Sequence, residues 1–305
     1  MLSTYKHKNL TWVDLEDPTA DEVKSLMQKY YIHPAVAEEL LKPTIRPRVD
    51  AYKNFIYLIL HFPIFDNNKK TSISYEVDFV MGKNFLIAAH YKEISLFHEI
   101  TKLFEVGSIL GEEQLVKNSG VLSTFIIKQL YEFALRQLDH IQLKINDIEE
   151  NIFKGHEKEM VAYISYLRRD TLDFQRAIHS HESILNSFKI IGEKFFNKDF
   201  VHYANVILGN LDRVKTLMEN CVATIESLHN TNDSLLTDKV NDIMRTLTIV
   251  SFITFPLMLF AALFGMSNLI STPIVGMKGD FWIITGIMFV SASSLLFFFK
   301  RRKWI

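Results

Sequence analysis

The sequence TLTIVSFITFPLMLFAALFGM at residues 246–266 decides the architecture of this 305-residue chain, because it contains no charged side chain. A second uncharged run, FWIITGIMFVSASSLLFFF, follows at residues 281–299. A helix needs about 20 apolar residues to cross the roughly 30 Å hydrocarbon core of a bilayer. Both runs therefore predict membrane-spanning helices in a lipid bilayer. The alternative, two helices buried in a large soluble core, would rarely stay uncharged for so long.

Basic residues predict the orientation of these spans. The second run is followed at once by four basic residues, Lys300, Arg301, Arg302 and Lys303. The connection at residues 267–280 has a single basic residue, Lys278, and a single acidic residue, Asp280. The positive-inside rule places such a basic end in the cytoplasm, and two spans return the N-terminus to the same side. The N-terminal MLSTYKHKNLTW has no apolar segment typical of a signal peptide. We expect a protein of the plasma or inner membrane with both termini cytoplasmic.

The remaining residues exclude several classes of function. They carry 34 basic and 35 acidic side chains, and this balance argues against a nucleic-acid binder. No Gly-rich phosphate loop is present, so no nucleotide is expected. Cys221 is the single cysteine and is expected in the core. His179 and His181, two apart on a predicted helix, point in different directions and form no chelating pair. No catalytic residues emerge, and the protein is not expected to be an enzyme.

The soluble part begins with a mixture of strands and helices. NFIYLILHF at residues 54–62 predicts a buried strand, and SISYEVDFVM and NFLIAAH predict a hairpin. Thr19 and Glu22 have the spacing of a capping box. Further along, the pattern predicts helices near residues 93–106, 121–153 and 157–191. The fold class is therefore an α+β cytosolic domain, an α/β layer with long helices, joined by a very long stalk helix to two transmembrane helices.

One helix is predicted from residue 197 to residue 266, about 105 Å long at about 1.5 Å per residue. Its first half has an apolar heptad seam at Leu211, Val214, Met218, Cys221, Ile225, Leu228, Asn232 and Leu235. The seam predicts packing either on helices of the same chain or around a symmetry axis. The predicted domains are a cytosolic α/β domain (1–92), a cytosolic helical region (93–196), a stalk or pore helix (197–245), a first transmembrane helix (246–266), an extracytoplasmic loop (267–280), a second transmembrane helix (281–299) and a basic cytoplasmic tail (300–305).

One face of the long helix mixes polar and apolar side chains inside the membrane. Its residues alternate three and four apart: Asn241, Met244, Thr248, Ser251, Phe255, Met258, Ala262 and Gly265. In a lone span the hydroxyl groups would bond to their own helix. In a symmetric ring such faces would line a pore, with Phe255 and Met258 as apolar constrictions able to gate by dewetting.

The chain resembles the CorA family of magnesium channels over nearly its whole length. The resemblance is carried by NDIMRTLTIVSFITFPLMLFAALFGM with its second span and KRRKW tail, by IHPAVAEELLKPTIRPRVDAYKNFIYLIL and EVDFVMGKNFLIAAH, and by LRRDTLDFQRAIHSHESILNSF. It implies a homopentamer with a cytosolic funnel, five pore helices and an outer ring of second spans. It also implies Mg²⁺ as the transported and regulatory ion, with no organic cofactor.

The family's Gly-Met-Asn motif is altered in this chain. Gly265, Met266 and Ser267 occupy its positions, and Asn268 follows. In the family the Asn ring receives a hydrated cation, which suits Mg²⁺ because this ion dehydrates reluctantly. A ring of Ser267 can still bond those waters but is expected to be wider and less selective. The loop also supplies an acid only at Asp280, so it concentrates cations more weakly.

The resemblance also implies gating by cations bound between neighbouring cytosolic domains. HPAVAEELL matches the family segment, so Glu38 and Glu39 are the candidate ligands, and Asp212 is the nearest acid on the long helix. A solvated helix face explains the two glutamates equally well. The expected function is Mg²⁺ uptake through this gated pore. The alternatives are a Zn²⁺ or Co²⁺/Ni²⁺ transporter of the same family and a non-conducting membrane sensor or scaffold.

Overall fold

The computed structural model describes residues 1–66, 71–110, 118–265 and 279–302. The chain divides into two compact units, Met1–Asn230 and Thr231–Ile305. The first unit contains an α/β domain with additional long helices, and the second contains two apolar helices. A single continuous helix, α7 (Phe200–Gly265), contributes residues to both units. The predicted fold class is confirmed.

The α/β domain is built on one mixed sheet of six strands. These are β1 (Leu2–His7), β2 (Leu10–Glu16), β3 (Arg48–Ala51), β4 (Phe55–Asp66), β5 (Thr71–Gly82) and β6 (Phe85–His90), in the spatial order β1-β2-β6-β5-β4-β3. Strands β2 and β6 are parallel, and every other neighbouring pair is antiparallel. The predicted buried strand at 54–62 and the predicted hairpin, formed by β5 and β6, are confirmed.

The interior strand β4, between β5 and the edge strand β3, is apolar on both faces because helices cover both faces of the sheet. Its side chains alternate between the two faces. Tyr57 and Ile59 pack in the cluster that includes Val23 and Val36 of the first two helices. The side chain of Phe62 lies on the opposite face of the sheet, where its ring is 5.4 Å from the ring of Tyr131 on the helix of residues 119–153. A strand buried on both sides explains why NFIYLILHF has no polar alternation.

Two short helices precede β3 on one face of the sheet. Helix α1 (Ala20–Tyr30) begins with the predicted capping box, in which Thr19 and Glu22 each bond the other's backbone N–H. Helix α2 (Pro34–Glu39) begins with proline, whose fixed φ and missing N–H suit the first helical position. Both helices bury apolar side chains against the sheet, in the cluster that contains Tyr57 and Ile59.

The helical region contains α3 (Ser95–Leu110), α4 (Ser119–Phe153), α5 (Glu157–Ile178) and α6 (His181–Phe195), and α8 (Asp280–Arg301) lies in the second unit. The prediction of one helix over 157–191 was wrong, because α5 ends at Ile178 and α6 begins at His181. No glycine or proline marks this break. It is held by His181, which is fully buried and bonded at Nδ1 to the hydroxyl of Tyr131, 2.7 Å away.

The heptad seam of α7 is buried as far as Leu228 within the first unit. Cys221 Sγ donates to Oε1 of Gln142 on α4 at 3.7 Å. Lys215 Nζ, beside the seam, lies 2.5 Å from the carboxylate of Glu182 on α6. Packing on helices of the same chain therefore accounts for this part of the seam. The expected core position of Cys221 is confirmed, and burial raises the pKa of its thiol.

Candidate ion pathway and regulatory acids

Two helices of the chain, α7 and α8, are long and apolar enough to cross a membrane. Their apolar segments are almost entirely exposed in the single chain, whereas a core helix of a soluble protein would be covered. Phe255, Met258 and Phe289, for example, are among the exposed large apolar side chains. Such surfaces require an apolar solvent, so these helices are membrane spans.

One face of the membrane part of α7 packs within the second unit. Ile249 is buried, as is Phe299 of α8, and the rings of Phe252 and Phe299 lie 6.3 Å apart. Partly buried side chains continue from Ile249 along the same helical face at Ile253, Pro256, Leu257, Phe260 and Phe264. Their spacing of three to four residues is that of one face of a helix. This face is the more covered side of the membrane part of α7.

The predicted pore face lies on the other side of α7. At about 100° per residue, its centre is roughly opposite the Ile249 face. Asn241, Met244, Phe255, Met258 and Ala262 are exposed in the single chain, and Thr248 and Ser251 are half-buried. The Thr248 hydroxyl donates to the Met244 carbonyl at 2.7 Å, so its hydrogen is used within the helix while its oxygen can still accept. Among the described residues, the face is thus mostly exposed in the single chain and partly polar.

A groove of about 600 Å³ runs beside this face. It is lined by Leu247, Thr248, Ser251, Phe252, Phe255, Pro256 and Leu259. Pro256 has no N–H, so the carbonyl of Phe252, which also lines the groove, lacks its usual intrahelical partner. This carbonyl adds one accepting group to a mostly apolar lining that already contains the hydroxyl groups of Thr248 and Ser251.

Most of the predicted selectivity motif lies outside the described residues. Helix α7 ends at Gly265. Met266, Ser267 and Asn268 follow it and are not among the residues that the structure describes. Their assignment as the mouth of the pore stays a prediction from the sequence.

The candidate regulatory acids lie at the end of α2. Glu38 is exposed, and Glu39 is half-buried and is the last residue of the helix. The Glu39 carboxylate binds the guanidinium of Arg48. The same guanidinium binds Asp50, with Nε 2.7 Å from Oδ2. Burial alone would lower the pKa of Arg48, but its hydrogen bonds to Asp50 and Glu39 raise it. Glu39 is therefore already neutralised by a cation of its own chain.

Asp212 is exposed on α7. Within the described ranges, no three His, Cys, Asp or Glu side chains are grouped so as to hold a metal ion. One chain therefore does not assemble Glu38, Glu39 and Asp212 into a site.

A buried polar network lies directly beneath Glu39, and sequence reasoning missed it. The Tyr91 hydroxyl lies 3.3 Å from the Glu39 carbonyl and 2.9 Å from Oδ2 of Asp78. The Tyr57 hydroxyl donates to the same Asp78 oxygen at 2.9 Å. The available signal was the alternation in SYEVDF, which places Glu76 and Asp78 on one face of a strand that is otherwise buried.

Two membrane spans joined to a folded α/β domain define a membrane protein, and the exposed, partly polar face of α7 is the kind of surface that membrane transport proteins use. The chain belongs to the family described as CorA-like Mg2+ transporter protein, whose model matches residues 7–301. This family transports divalent cations such as Mg²⁺ and is not a family of enzymes. The resemblance stated from the sequence is confirmed.

Individual relatives of known description are similar to this chain over nearly its whole length. It is 23% identical over 296 residues to the "Cobalt/magnesium transport protein CorA" of Thermotoga maritima, covering 97% of this chain and 83% of that protein. It is 25% identical to the "Putative metal ion transporter YfjQ" of Bacillus subtilis, covering 96% of this chain and 89% of that protein. The fold is similar to the complete structure of the CorA magnesium transporter from Methanocaldococcus jannaschii, with a TM-score of 0.86, 21% identity, and coverage of 99% and 94%.

Proposed function

We propose that the protein is a homopentameric channel for Mg²⁺ uptake across the cell membrane. Hydrated ions pass the faces of five α7 helices, with Ser267 at the outer mouth. The pathway is lined by Asn241, Met244, Thr248, Ser251, Phe255, Met258 and Ala262. Both termini lie in the cytoplasm, as the basic residues after α8 favour.

The observation that carries the proposal is the division of α7 into two faces. The Ile249 face packs within the second unit, whereas the opposite face carries the hydroxyl groups of Thr248 and Ser251, of which Thr248 donates to a carbonyl of its own helix. Hydroxyl groups that face lipid find no hydrogen-bond partner there, but in a symmetric ring they can bond the water shell of an ion. The apolar Phe255 and Met258 on the same face supply constrictions that close when water leaves them.

Regulation by cytoplasmic cations is the second part of the proposal. Glu38 and Glu39 of one chain and an acid of its neighbour, Asp212, hold Mg²⁺ between domains. Because Glu39 already binds Arg48, the ion competes with that guanidinium for the carboxylate. The site responds only when Mg²⁺ is abundant enough to displace Arg48, as a sensor of a full cell requires.

The pore face is tested by comparing Ser251→Cys with Val250→Cys in proteoliposomes. The two positions are about 100° apart, and only the first is on the predicted pore face. A cationic thiosulfonate is expected to block Mg²⁺ uptake by S251C and to leave V250C active. The wild type is the control for reagent specificity, because its Cys221 is buried. Equal inhibition of both variants, or no inhibition of S251C, contradicts the proposed face.

The transported ion is tested by measuring uptake of Mg²⁺, Co²⁺, Ni²⁺ and Zn²⁺, with and without a proton gradient. We expect Mg²⁺ uptake that Ser267→Trp abolishes, and better discrimination between Mg²⁺ and Ca²⁺ after Ser267→Asn. If a proton gradient drives Zn²⁺ uptake, or if Co²⁺ and Ni²⁺ enter and Mg²⁺ does not, the transported ion is the alternative one and not Mg²⁺. Absence of any flux favours a membrane sensor or scaffold. A particle mass about five times the 35.5 kDa chain tests the pentamer.

A further inference from the structure

Two acidic side chains lie together in the core of the α/β domain. Glu76 and Asp78 are two residues apart on β5 and share one face of the sheet. They are 5% and 0% exposed, which is rare for carboxylates. Oε2 of Glu76 accepts from the Thr44 N–H at 2.6 Å and lies 3.2 Å from Nε2 of His61. Oδ2 of Asp78 accepts from the hydroxyls of Tyr57 and Tyr91.

The other oxygen of each carboxyl group has no donor. Oε1 of Glu76 and Oδ1 of Asp78 are buried and lack a hydrogen-bond partner among the described residues. Because residues i and i+2 of a strand are neighbours on one face, the two carboxyl groups lie on the same side of β5, and the charge of Glu76 acts on Asp78. Two ionised carboxylates cannot bond, because neither supplies a hydrogen, and their like charges repel strongly away from water. A single hydrogen between Oδ1 and Oε1 would satisfy both oxygens.

We propose that Glu76 and Asp78 form a proton-binding site that holds one proton between them. Asp78 carries the proton on Oδ1 and donates it to Oε1 of Glu76. Its carbonyl oxygen, Oδ2, accepts the two tyrosine hydroxyls. Glu76 is the ionised partner and accepts from Thr44 through Oε2. Every carboxyl oxygen of the pair then has a partner.

The groups packed around the pair favour this state. They are Tyr57 and His61 on β4, Tyr91 after β6, Glu39 on α2, Arg48 on β3 and His181 on α6. Burial raises the pKa of Asp78, and the charge of Glu76 raises it further, against the lowering effect of the two tyrosine bonds. Burial also raises the pKa of Tyr57 and of Tyr91, so both remain donors. Burial lowers the pKa of His181 to about 3, and this ring is uncharged.

The proton-binding site is connected to the end of α2. The Tyr91 hydroxyl, which donates to Asp78, also lies 3.3 Å from the Glu39 carbonyl, and Glu76 accepts from the Thr44 N–H in the segment that follows α2. Loss of the proton would place two negative charges among these bonds and weaken the hold on that segment. Because the folded pKa of Asp78 is raised, its contribution to stability is present below the unfolded pKa and is lost as pH rises through the folded pKa. The inference needs only the fold and does not depend on the transported ion.

The experiment is infrared spectroscopy of the full chain in detergent, with aspartate labelled by ¹³C. At neutral pH we expect the C=O stretching band of a protonated aspartic acid in the wild type. The band should be absent from Asp78→Asn and retained in the control Asp21→Asn, which changes an exposed acid on α1. Absence of the band from the wild type, or its persistence in D78N, overturns the proposal.

Glu76→Gln gives a second, independent test should D78N fail to fold. Removing the charge of Glu76 favours the ionised form of Asp78, so the band should disappear at a lower pH than in the wild type. A band that titrates at the same pH in E76Q and in the wild type shows that the two residues do not share the proton. In D78N the amide mimics the protonated acid. In the wild type, ionisation of Asp78 should lower the folding equilibrium constant by up to about ten-fold per pH unit as pH rises. This decrease should be absent from D78N.

Discussion

Replacing Arg48 with glutamine is expected to make transport more sensitive to inhibition by cytoplasmic Mg²⁺. In the structure the Arg48 guanidinium binds the Glu39 carboxylate and also Asp50. A regulatory cation that uses Glu39 must displace this guanidinium and also bear its repulsion. R48Q removes both obstacles and leaves a shorter, uncharged side chain that can still donate a hydrogen bond.

The magnitude follows from the exposure of the pair. The side chains of Arg48 and Glu39 are 34% and 35% exposed. An ion pair at such exposure contributes up to about 1 kcal/mol, and relief of the repulsion between Arg48 and a divalent ion adds a similar amount in a solvent-screened setting. A total of about 1–2 kcal/mol corresponds to a factor of about 5–30 in affinity. The Mg²⁺ concentration that half-inhibits uptake should fall by that factor.

The assay is Mg²⁺ uptake into proteoliposomes loaded with increasing internal Mg²⁺. Arg46→Gln is the matched control, because Arg46 has the same charge, is two residues away and is exposed. An unchanged or increased half-inhibitory concentration in R48Q would refute the competition and, with it, the role of Glu39 as a ligand. An equal shift in R46Q would show that the effect is one of general surface charge.

Two further predictions concern stability. Gly192→Ala places a Cβ 2.1 Å from the Phe200 ring, so it should destabilise the fold by about 1–3 kcal/mol and lower Tm. The Cβ added by Gly209→Ala has no atom within 4 Å in the single chain, so this variant should be neutral or stabilised by up to about 1 kcal/mol. Equal losses of stability in both variants would contradict this packing. Burial opposes protonation of His90, but the hydrogen bond to Asp14 and its charge raise the His90 pKa. His90 stabilisation is therefore full below the unfolded pKa of about 6.5 and lost as pH rises through the folded pKa, and unfolding monitored against pH should show that Asp14→Asn removes this slope.

The spans and the sheet were predictable because their signals are local. An uncharged run of 21 residues at 246–266 has few soluble explanations, and β4 to β6 are marked by apolar runs with glycine and lysine between them. The break between α5 and α6 was not predictable in this way. It contains neither glycine nor proline and depends on His181, which packs against Tyr131, 50 residues away in sequence.

The surroundings of Glu39 were hidden for the same reason. Nothing in HPAVAEELL indicates that its second glutamate meets Arg48, because the pairing depends on how the chain between α2 and β3 folds back. The acids of β5 were visible as an alternation in SYEVDF, but their meaning depends on Tyr57, Tyr91 and Thr44, which come from three other segments. Sequence patterns thus identify the acids but not the groups that neutralise them.

The groups that neutralise Glu39 bear on its proposed role as a ligand of the regulatory cation. Its carboxylate is bound by Arg48, and its backbone carbonyl is contacted by Tyr91, which is anchored on Asp78. An acid held this way does not repel a neighbouring chain strongly when the cation leaves, because Arg48 returns to it. Gating by simple repulsion between acids would therefore be weak here. Under the proposed regulation, competition between Mg²⁺ and Arg48 would instead raise the Mg²⁺ concentration at which the Glu39 carboxylate binds the ion.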